Sequence, residues 1–281
     1  MTIFNKYKGG IPVFDSGIGS YGVVKAIQKV LPGYPLIYLA DRASFPYGKM
    51  SLPMLQKNIQ DRIHWFEKHF SPPLIVIASN TPSMTVLDTL SATIPLIGVF
   101  PPIQEAVLAS QSGHIAILGT QNLVFSKNMS HHIETIKNDK HVHVIPVDAS
   151  ILIESMESFL FVKNQKACRD LIHVFFNDLL RHHPHVDTVT LSSTHLSFLK
   201  SLILDCFPHL ICLDPTESVA NEVKKNLLSL KGTLQFEPPF YGDPLLVLST
   251  ENDSLKLSVT DFQKGLYDLG CPSKVHTIQF G

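Results

Sequence analysis

IVIASNTPS, residues 75–83, is a short apolar run that ends in small hydroxyl and amide side chains and opens onto a helix-like segment. LSSTHLS, residues 191–197, has the same design and follows the β-rich run 186–190. A short apolar run of this kind, bounded by polar residues, favours a strand that is buried on both faces of a sheet. The two junctions suggest two halves of one site, with Ser79 central to the first and Ser193 to the second.

Similar runs recur along the chain, and each is followed by a segment with helical periodicity. The clearest helical stripe is Leu55, Ile59, Ile63, Phe66 and Phe70. Continuous apolar strands separated by helices predict an α/β fold with doubly wound parallel sheets covered on both faces. The predicted strands are Ile11–Phe14, Leu36–Ala40, Leu74–Ala78, Ile94–Val99, Ile115–Leu118, Val142–Val147, Thr188–Leu191 and Leu210–Leu213.

The composition narrows the class of protein. The chain has 281 residues, 44% hydrophobic and 17% charged, which is enough for two ordinary domains. A formal charge of −1 provides no broad basic field for nucleic acid or an acidic membrane surface. The longest apolar runs are too short to span a bilayer, and the first ten residues lack the apolar core of a secretion signal.

The cysteine pattern indicates reduced thiols rather than a disulfide framework. The four cysteines form no CxxC pair and are sparse for a chain of this size. We therefore expect a cytoplasmic protein. The cysteines are Cys168, Cys206, Cys212 and Cys271.

Polar residues follow most of the predicted strands. Parallel α/β sheets bind ligands at the carboxyl ends of their strands, where helix N-termini favour anions. Helix capping alone would explain Asp214 and either Asn80 or Thr81, but not the pairing of Asp15 and His195 with serines at equivalent places. This donor-rich set suits a small ligand that carries carboxylates, with Asp15 and His195 available to relay protons.

Two other features carry less weight. Histidines cluster at His131-His132, at His141 and His143, and in RHHPH at 181–185, but no carboxylate or thiol stands at metal-ligand spacing, so we expect no metal. Residues 234–244 contain three prolines and are the strongest loop prediction.

The motifs, taken in order, resemble those of glutamate racemases, members of the cofactor-independent aspartate/glutamate racemase superfamily. The resemblance runs from residue 11 to about residue 220, with a weaker echo in FYGDP near the end. Any one motif is weak evidence, whereas seven in register are specific. They are PVFDSGIGS, IYLADRASFPYGK, IVIASNTPS, IPLIGVFPP, IAILGT, VTLSSTHLSFL and LDPTESVA.

The resemblance implies two α/β domains related by a pseudo-twofold axis, with a cleft between them. The first domain would comprise residues 1–97 and 211–281, and the second residues 98–210. In the family, two cysteines flank the α-carbon of glutamate, where one thiolate removes the α-proton and the other thiol returns a proton to the opposite face. The reaction supplies D-glutamate for peptidoglycan and needs no cofactor, neither pyridoxal phosphate nor metal. Members often form homodimers.

The family's ligand-binding positions carry matching residue types in this chain. Asp15 and His195 would also assist the two proton-transferring residues. The implied substrate-binding residues are Asp15, Ser16, Tyr47, Gly48, Asn80, Thr81, Thr194 and His195.

The resemblance places the two catalytic cysteines at Ser79 and Ser193. A serine hydroxyl is several pKa units more basic than a thiol, and each unit corresponds to about 1.36 kcal/mol. Leu123 stands at a usual threonine, and Ala149 where the family commonly has a glutamate near the catalytic histidine. An engineered double replacement would explain the serines but not these other departures.

Milder departures are Ser20, at a usual glycine, and Ser192, directly before the second cysteine position. The main prediction is therefore a glutamate-racemase-like protein that binds L- or D-glutamate and racemises it weakly or not at all. The alternatives are a non-catalytic binding or regulatory protein for acidic amino acids, or a diacid lyase or isomerase of the same superfamily. Serine as a hydrolytic nucleophile is a further possibility, because His195 is only two residues from Ser193.

Overall fold

The computed structural model describes residues 3–137, 142–230, 243–251 and 257–280. The predicted proline-rich loop therefore lies outside the described residues, apart from its last two positions. Within the described residues, no helix is both long and apolar enough to cross a membrane.

The described residues contain ten strands in two sheets, and every strand pair is parallel. The strands are β1 (Ile11–Asp15), β2 (Leu36–Ala40), β3 (Ile75–Ile77), β4 (Leu96–Gly98), β5 (His114–Gly119), β6 (His143–Asp148), β7 (Thr188–Leu191), β8 (Ile211–Leu213), β9 (Leu245–Thr250) and β10 (Val275–Ile278). The first sheet has the order β10-β9-β2-β1-β3-β4 and the second has the order β6-β5-β7-β8. This confirms the predicted α/β class with parallel sheets.

Helices connect the strands, as parallel pairing requires. They are α1 (Ile3–Lys6), α2 (Ser20–Val30), α3 (Leu52–Phe70), α4 (Asn80–Thr85), α5 (Ile103–Ala109), α6 (Gln121–Val124), α7 (Lys127–Lys137), α8 (Ser150–Glu157), α9 (Leu160–Lys163), α10 (Gln165–His182), α11 (Lys200–Cys206), α12 (Thr216–Ser229) and α13 (Val259–Asp268). Short 3₁₀ turns cover Arg42–Ser44, Tyr47–Lys49, Leu87–Thr89 and Leu196–Leu199.

Each predicted strand corresponds to one of β1 to β8, whereas β9 and β10 were not predicted. The run at β9 follows directly on the proline-rich segment, and β10 is only four residues long with partly exposed side chains at three of them.

The core of the first sheet is built on the predicted stripe of α3. All five stripe residues are at most 1% exposed. Burying side chains of this size contributes up to about 1.5–3 kcal/mol each. They pack against inward-facing strand residues, among them Phe14, Ile37, Ile75, Ile77 and Leu246.

The chain divides into two compact units. One comprises Met1–Val99 and Thr216–Gly281, and the other Phe100–Pro215. The predicted boundaries at 98 and 211 differ from this division for a reason of strand pairing. Gly98 pairs with Ile77 of β3, and β8 pairs with β7, so the end of β4 belongs to the first unit and β8 to the second.

Candidate active site

In the first unit, the end of β1 meets the 3₁₀ turn that contains Tyr47. The Ser16 N–H donates to Asp15 Oδ1 at 2.6 Å, and the Tyr47 N–H donates to Ser16 Oγ at 3.4 Å. All three residues are buried, while Gly48 in the same turn is half-buried. The structure thus brings together four of the predicted ligand-binding residues, which lie up to 33 positions apart in the printed sequence.

The buried ion pair between Asp41 and Arg62 anchors the turn that contains Tyr47. The Tyr47 hydroxyl donates to Asp41 Oδ2 at 3.1 Å, and Arg62 Nε donates to the same oxygen at 3.1 Å. Thr250 Oγ1 donates to Asp41 Oδ1 at 2.7 Å. Burial, followed by the nearby Asp41 and Asp15 carboxylates, raises the pKa of Tyr47 well above its ordinary value, so its hydroxyl stays a donor.

Sequence reasoning did not single out Arg62 or Thr250. Arg62 lies on α3 and is 7% exposed, and its guanidinium lies 3.7 Å from the ring centroid of Phe280. An arginine beside apolar residues of a long helix reads as a surface residue, because Lys and Arg are almost never fully buried unless paired. The one hint in the sequence of a buried cationic partner was Asp41, an acidic residue directly after the predicted strand Leu36–Ala40.

Ser79 and Asn80 lie where β3 gives way to α4. Ser79 precedes the helix, is 8% exposed, and makes no capping hydrogen bond with its side chain. Asn80 is 3% exposed, and its Nδ2 donates to the Val99 carbonyl at 3.1 Å. Thr81 follows within the first turn and is half-buried.

The other amide atom of Asn80 stands out among the residues that the structure describes. Asn80 Oδ1 is buried and has no hydrogen-bond partner there. A buried acceptor left without a donor costs about 1–3 kcal/mol. An N–H group of a bound ligand would remove that cost.

In the second unit, three side chains form a series at the end of β7. Ser193 Oγ lies 3.4 Å from His195 Nδ1, and His195 Nε2 lies 2.5 Å from Glu157 Oε1. His195 is 5% exposed, and the Glu157 side chain is 19% exposed. A carboxylate accepts only, so the nitrogen that faces Glu157 carries a proton. In the neutral imidazole, Nδ1 is then the acceptor that faces the serine.

Glu157 corrects the expectation about Ala149. Ala149 is fully buried at the start of α8, and its N–H donates to the Gly119 carbonyl at 2.8 Å. The carboxylate beside His195 comes instead from the last residue of that helix, so this chain has not lost it. The sequence offered Glu154 and Glu157 on one helix, and local periodicity does not tell which of them meets a histidine 38 positions further on.

Leu123 and Thr194 are both buried. A Cβ at Gly119 would lie 3.5 Å from Leu123 Cδ2 and 2.9 Å from Val124 Cγ1, so α6 closes tightly on the end of β5. Leu123 is therefore part of the apolar packing at this strand end. Next to it, Thr120 Oγ1 is buried without a hydrogen-bond partner in the described part of the chain.

The four cysteines are free thiols. Cys168 lies on α10, Cys206 ends α11, Cys212 lies within β8 and Cys271 follows α13. Burial raises the pKa of Cys212 to about 12 and also raises the pKa of Cys168, which keeps both thiols protonated. Within the described ranges, no group of three or more His, Cys, Asp or Glu side chains is arranged to hold a metal ion. His141 lies outside those ranges.

Two parallel-sheet units with buried polar side chains at the carboxyl ends of their strands define an α/β protein, a class in which small molecules bind at those strand ends. Comparison with known proteins narrows this class. No family model matches the chain. The glutamate racemase of Chlorobaculum tepidum is 32% identical over 235 residues, which cover 81% of this chain and 83% of that protein. The glutamate racemase of Persephonella marina is 30% identical over 269 residues, 95% of each chain.

The chain therefore belongs to the glutamate racemase family of amino-acid isomerases. Solved structures agree on the fold. Escherichia coli glutamate racemase, in complex with L-glutamate and the activator UDP-MurNAc-Ala, has a TM-score of 0.77 at 20% identity, covering 96% of this chain and 97% of the other. The enzyme from Thermus thermophilus, in complex with β-chloro-D-alanine, has a TM-score of 0.73 at 25% identity, covering 97% of both chains.

Proposed function

We propose that this protein binds glutamate and racemises it weakly or not at all. The proposal rests mainly on one observation, the identity of the side chain that His195 faces. His195 Nδ1 faces the hydroxyl of Ser193, at the position to which the family resemblance assigns a thiol.

The binding half of the proposal rests on family membership and on the polar groups at the strand ends. The E. coli relative was solved with L-glutamate, and the Francisella tularensis relative, with a TM-score of 0.72, was solved with D-glutamate. Asn80 Oδ1, which has no hydrogen-bond partner among the described residues, is an acceptor suited to an ammonium group. The proposed contacts are Asp15, Ser16, Tyr47, Gly48, Asn80, Thr81, Thr194 and His195.

The catalytic half follows from the acidity of the proton-transferring groups. An α-proton is removed by a base that is already ionised, and a thiol with a pKa near 8.5 reaches that state with modest help. A hydroxyl is several units more basic, and each unit corresponds to about 1.36 kcal/mol of extra stabilisation. His195 and Glu157 assist Ser193, whereas among the described residues Ser79 has no imidazole or carboxylate within hydrogen-bond distance.

The test separates binding from chemistry. The protein is incubated with L-glutamate in heavy water, and deuterium at the α-carbon is measured by NMR. We expect exchange no faster than in a heat-inactivated sample. In parallel, L- and D-glutamate should raise the melting temperature progressively as their concentrations exceed the dissociation constants, because they bind the folded state.

A double variant, Ser79→Cys with Ser193→Cys, is the matched positive control, and we expect it to exchange the α-proton. Rapid exchange by the unaltered chain would show that the hydroxyls suffice. If no small dicarboxylate changes the melting temperature, the proposal that the protein binds glutamate is wrong. Stabilisation without exchange is the outcome expected of a binding or regulatory protein.

A further inference from the structure

Ser193, His195 and Glu157 supply the hydroxyl, the imidazole and the carboxylate of a serine catalytic triad. One imidazole nitrogen lies 3.4 Å from the serine Oγ, and the other lies 2.5 Å from a carboxylate. Such a triad is recognised by geometry and by the role of each group rather than by sequence position. Free-state contacts between nucleophile and base are often longer than ideal and shorten when a substrate binds.

The backbone explains why two residues so close in sequence point the same way. After β7 the chain turns, with the Leu196 N–H donating to the Ser193 carbonyl at 2.9 Å. His195 already has helical backbone angles at the start of the 3₁₀ turn Leu196–Leu199. Ser192 shows the contrast, because it is fully buried and its hydroxyl is bonded to Thr190 Oγ1 at 2.9 Å.

We propose that Ser193 is an acyl-accepting nucleophile, with His195 as its general base and Glu157 as the positioning residue, acting on small activated carboxylic esters. Ser193 Oγ bonds to the carbonyl carbon, and its proton passes to His195 Nδ1. The bond to the leaving alcohol breaks, and the alcohol takes that proton. Water then attacks the ester on Ser193, releases the carboxylic acid and restores the hydroxyl.

A serine hydroxyl is suited to act as a nucleophile in acyl transfer, although it is poorly suited to act as the base that removes an α-proton. A general base takes the serine proton while the new bond forms, so no free alkoxide has to accumulate. Ser193 is 8% exposed, which limits the acyl group to a small one and shields the imidazole from bulk water. Reaction with an ester does not depend on glutamate recognition, so this inference and the proposed function can fail separately.

The test uses the full chain with a fluorophosphonate probe, which forms a stable bond to an activated serine as fluoride leaves. Peptide sequencing by mass spectrometry locates the adduct. We expect the label on Ser193 and none on Ser79. Ser79 is an equally buried serine at a strand end, and it has no imidazole partner within the described part of the chain. The heat-denatured protein should remain unlabelled.

Turnover is followed with 4-nitrophenyl acetate. Ser193→Ala and His195→Gln should abolish serine acylation, and Glu157→Gln should slow it on the order of 10²-fold. Glu157→Asp should restore part of the rate and of its dependence on pH, which a merely structural role for Glu157 would not do. Ser201→Ala, at an exposed serine on α11, is the matched control and should change nothing.

Acylated cysteines are distinguished by hydroxylamine, which cleaves thioesters and spares the serine ester. Circular dichroism and melting curves establish that each variant is folded. An adduct on any serine other than Ser193, or a folded native protein without an adduct, would overturn the inference.

Discussion

Asp41 is fully buried, and three side chains, 6, 21 and 209 positions further along the chain, donate to its carboxylate. Arg62 reaches both oxygens, at 3.1 and 3.3 Å, while Tyr47 and Thr250 take one oxygen each. Removing one partner of a buried pair costs more than the pair contributes, because the remaining charge is left without compensation. The turn that carries Tyr47 and Gly48 therefore depends on a residue of α3 that need not touch any ligand.

Arg62→Leu should lower the free energy of unfolding by about 3–5 kcal/mol, because Asp41 loses its only cationic partner among the described contacts. Urea denaturation at neutral pH measures the loss. The matched control is Lys57→Leu on the same helix, where the pair with Asp61 is exposed and should contribute less than about 1 kcal/mol. If both variants lose the same free energy of unfolding, the buried Asp41–Arg62 pair contributes no more to stability than the exposed Lys57–Asp61 pair.

At the scale of elements, Asp187 ties the loop between α5 and β5 to the start of β7. It accepts hydrogen bonds from the Ser110 hydroxyl at 2.6 Å and from the N–H groups of Gln111 and Ser112, both at 2.7 Å. Thr188 Oγ1 adds a further bond at 2.8 Å. Partial burial opposes ionisation, but these donors outweigh it and lower the pKa of Asp187 to about 2.

The lowered pKa predicts a pH-dependent contribution to stability. In the unfolded chain the carboxyl has a pKa of about 3.9, so its contribution is fully present well above that value. It is lost as the pH falls through about 4 towards the folded-state pKa of about 2. Asp187→Asn should therefore be less stable than the unaltered chain at neutral pH, and the gap should narrow in that acid window.

Urea denaturation at several pH values between neutrality and the acid limit of folding measures the gap. Asp170→Asn, at an exposed aspartate on α10, serves as the control and should show no gap at any pH. A gap for Asp187→Asn that stays constant, or widens on acidification, would contradict the assignment.

At the scale of the whole molecule, the second unit is one continuous stretch of chain, whereas the first is assembled from both ends. The second unit has its own four-stranded sheet, with β8 on one edge. In the first unit, β9 lies between β2 and β10, so a segment from the end of the chain completes the sheet begun near the start. Local apolar runs identify strands, but they do not say which sheet a strand joins.

Residues 100–215, expressed alone, should fold and unfold cooperatively in urea. A fragment of residues 100–210 should be markedly less stable, because it lacks β8 and leaves the ladder edge of β7 unpaired. Circular dichroism during urea titration compares the two. Equal stability of the fragments would favour the boundary expected from the sequence, and an unfolded longer fragment would show that this unit does not fold alone.

Much of the fold was predictable because burial on both faces leaves a local pattern. Eight strands and the stripe of α3 follow from apolar runs and from helical spacing, which depend on neighbouring residues only. The polar residues at strand ends were predictable for a related reason, since parallel strands bring their carboxyl ends to one edge of a sheet. Membership of the glutamate racemase family also follows from sequence, by identity over most of the chain.

Only the tertiary structure decided which side chains contact the polar residues at those strand ends. Glu157 rather than residue 149 meets His195, across 38 positions, and Thr250 meets Asp41 across 209. Such contacts depend on the angle and depth at which a helix or strand packs, and neither quantity is written in the residues near the contact. The sequence by itself therefore determined the class of fold and the location of the polar junctions, and packing determined the partner of each buried charge.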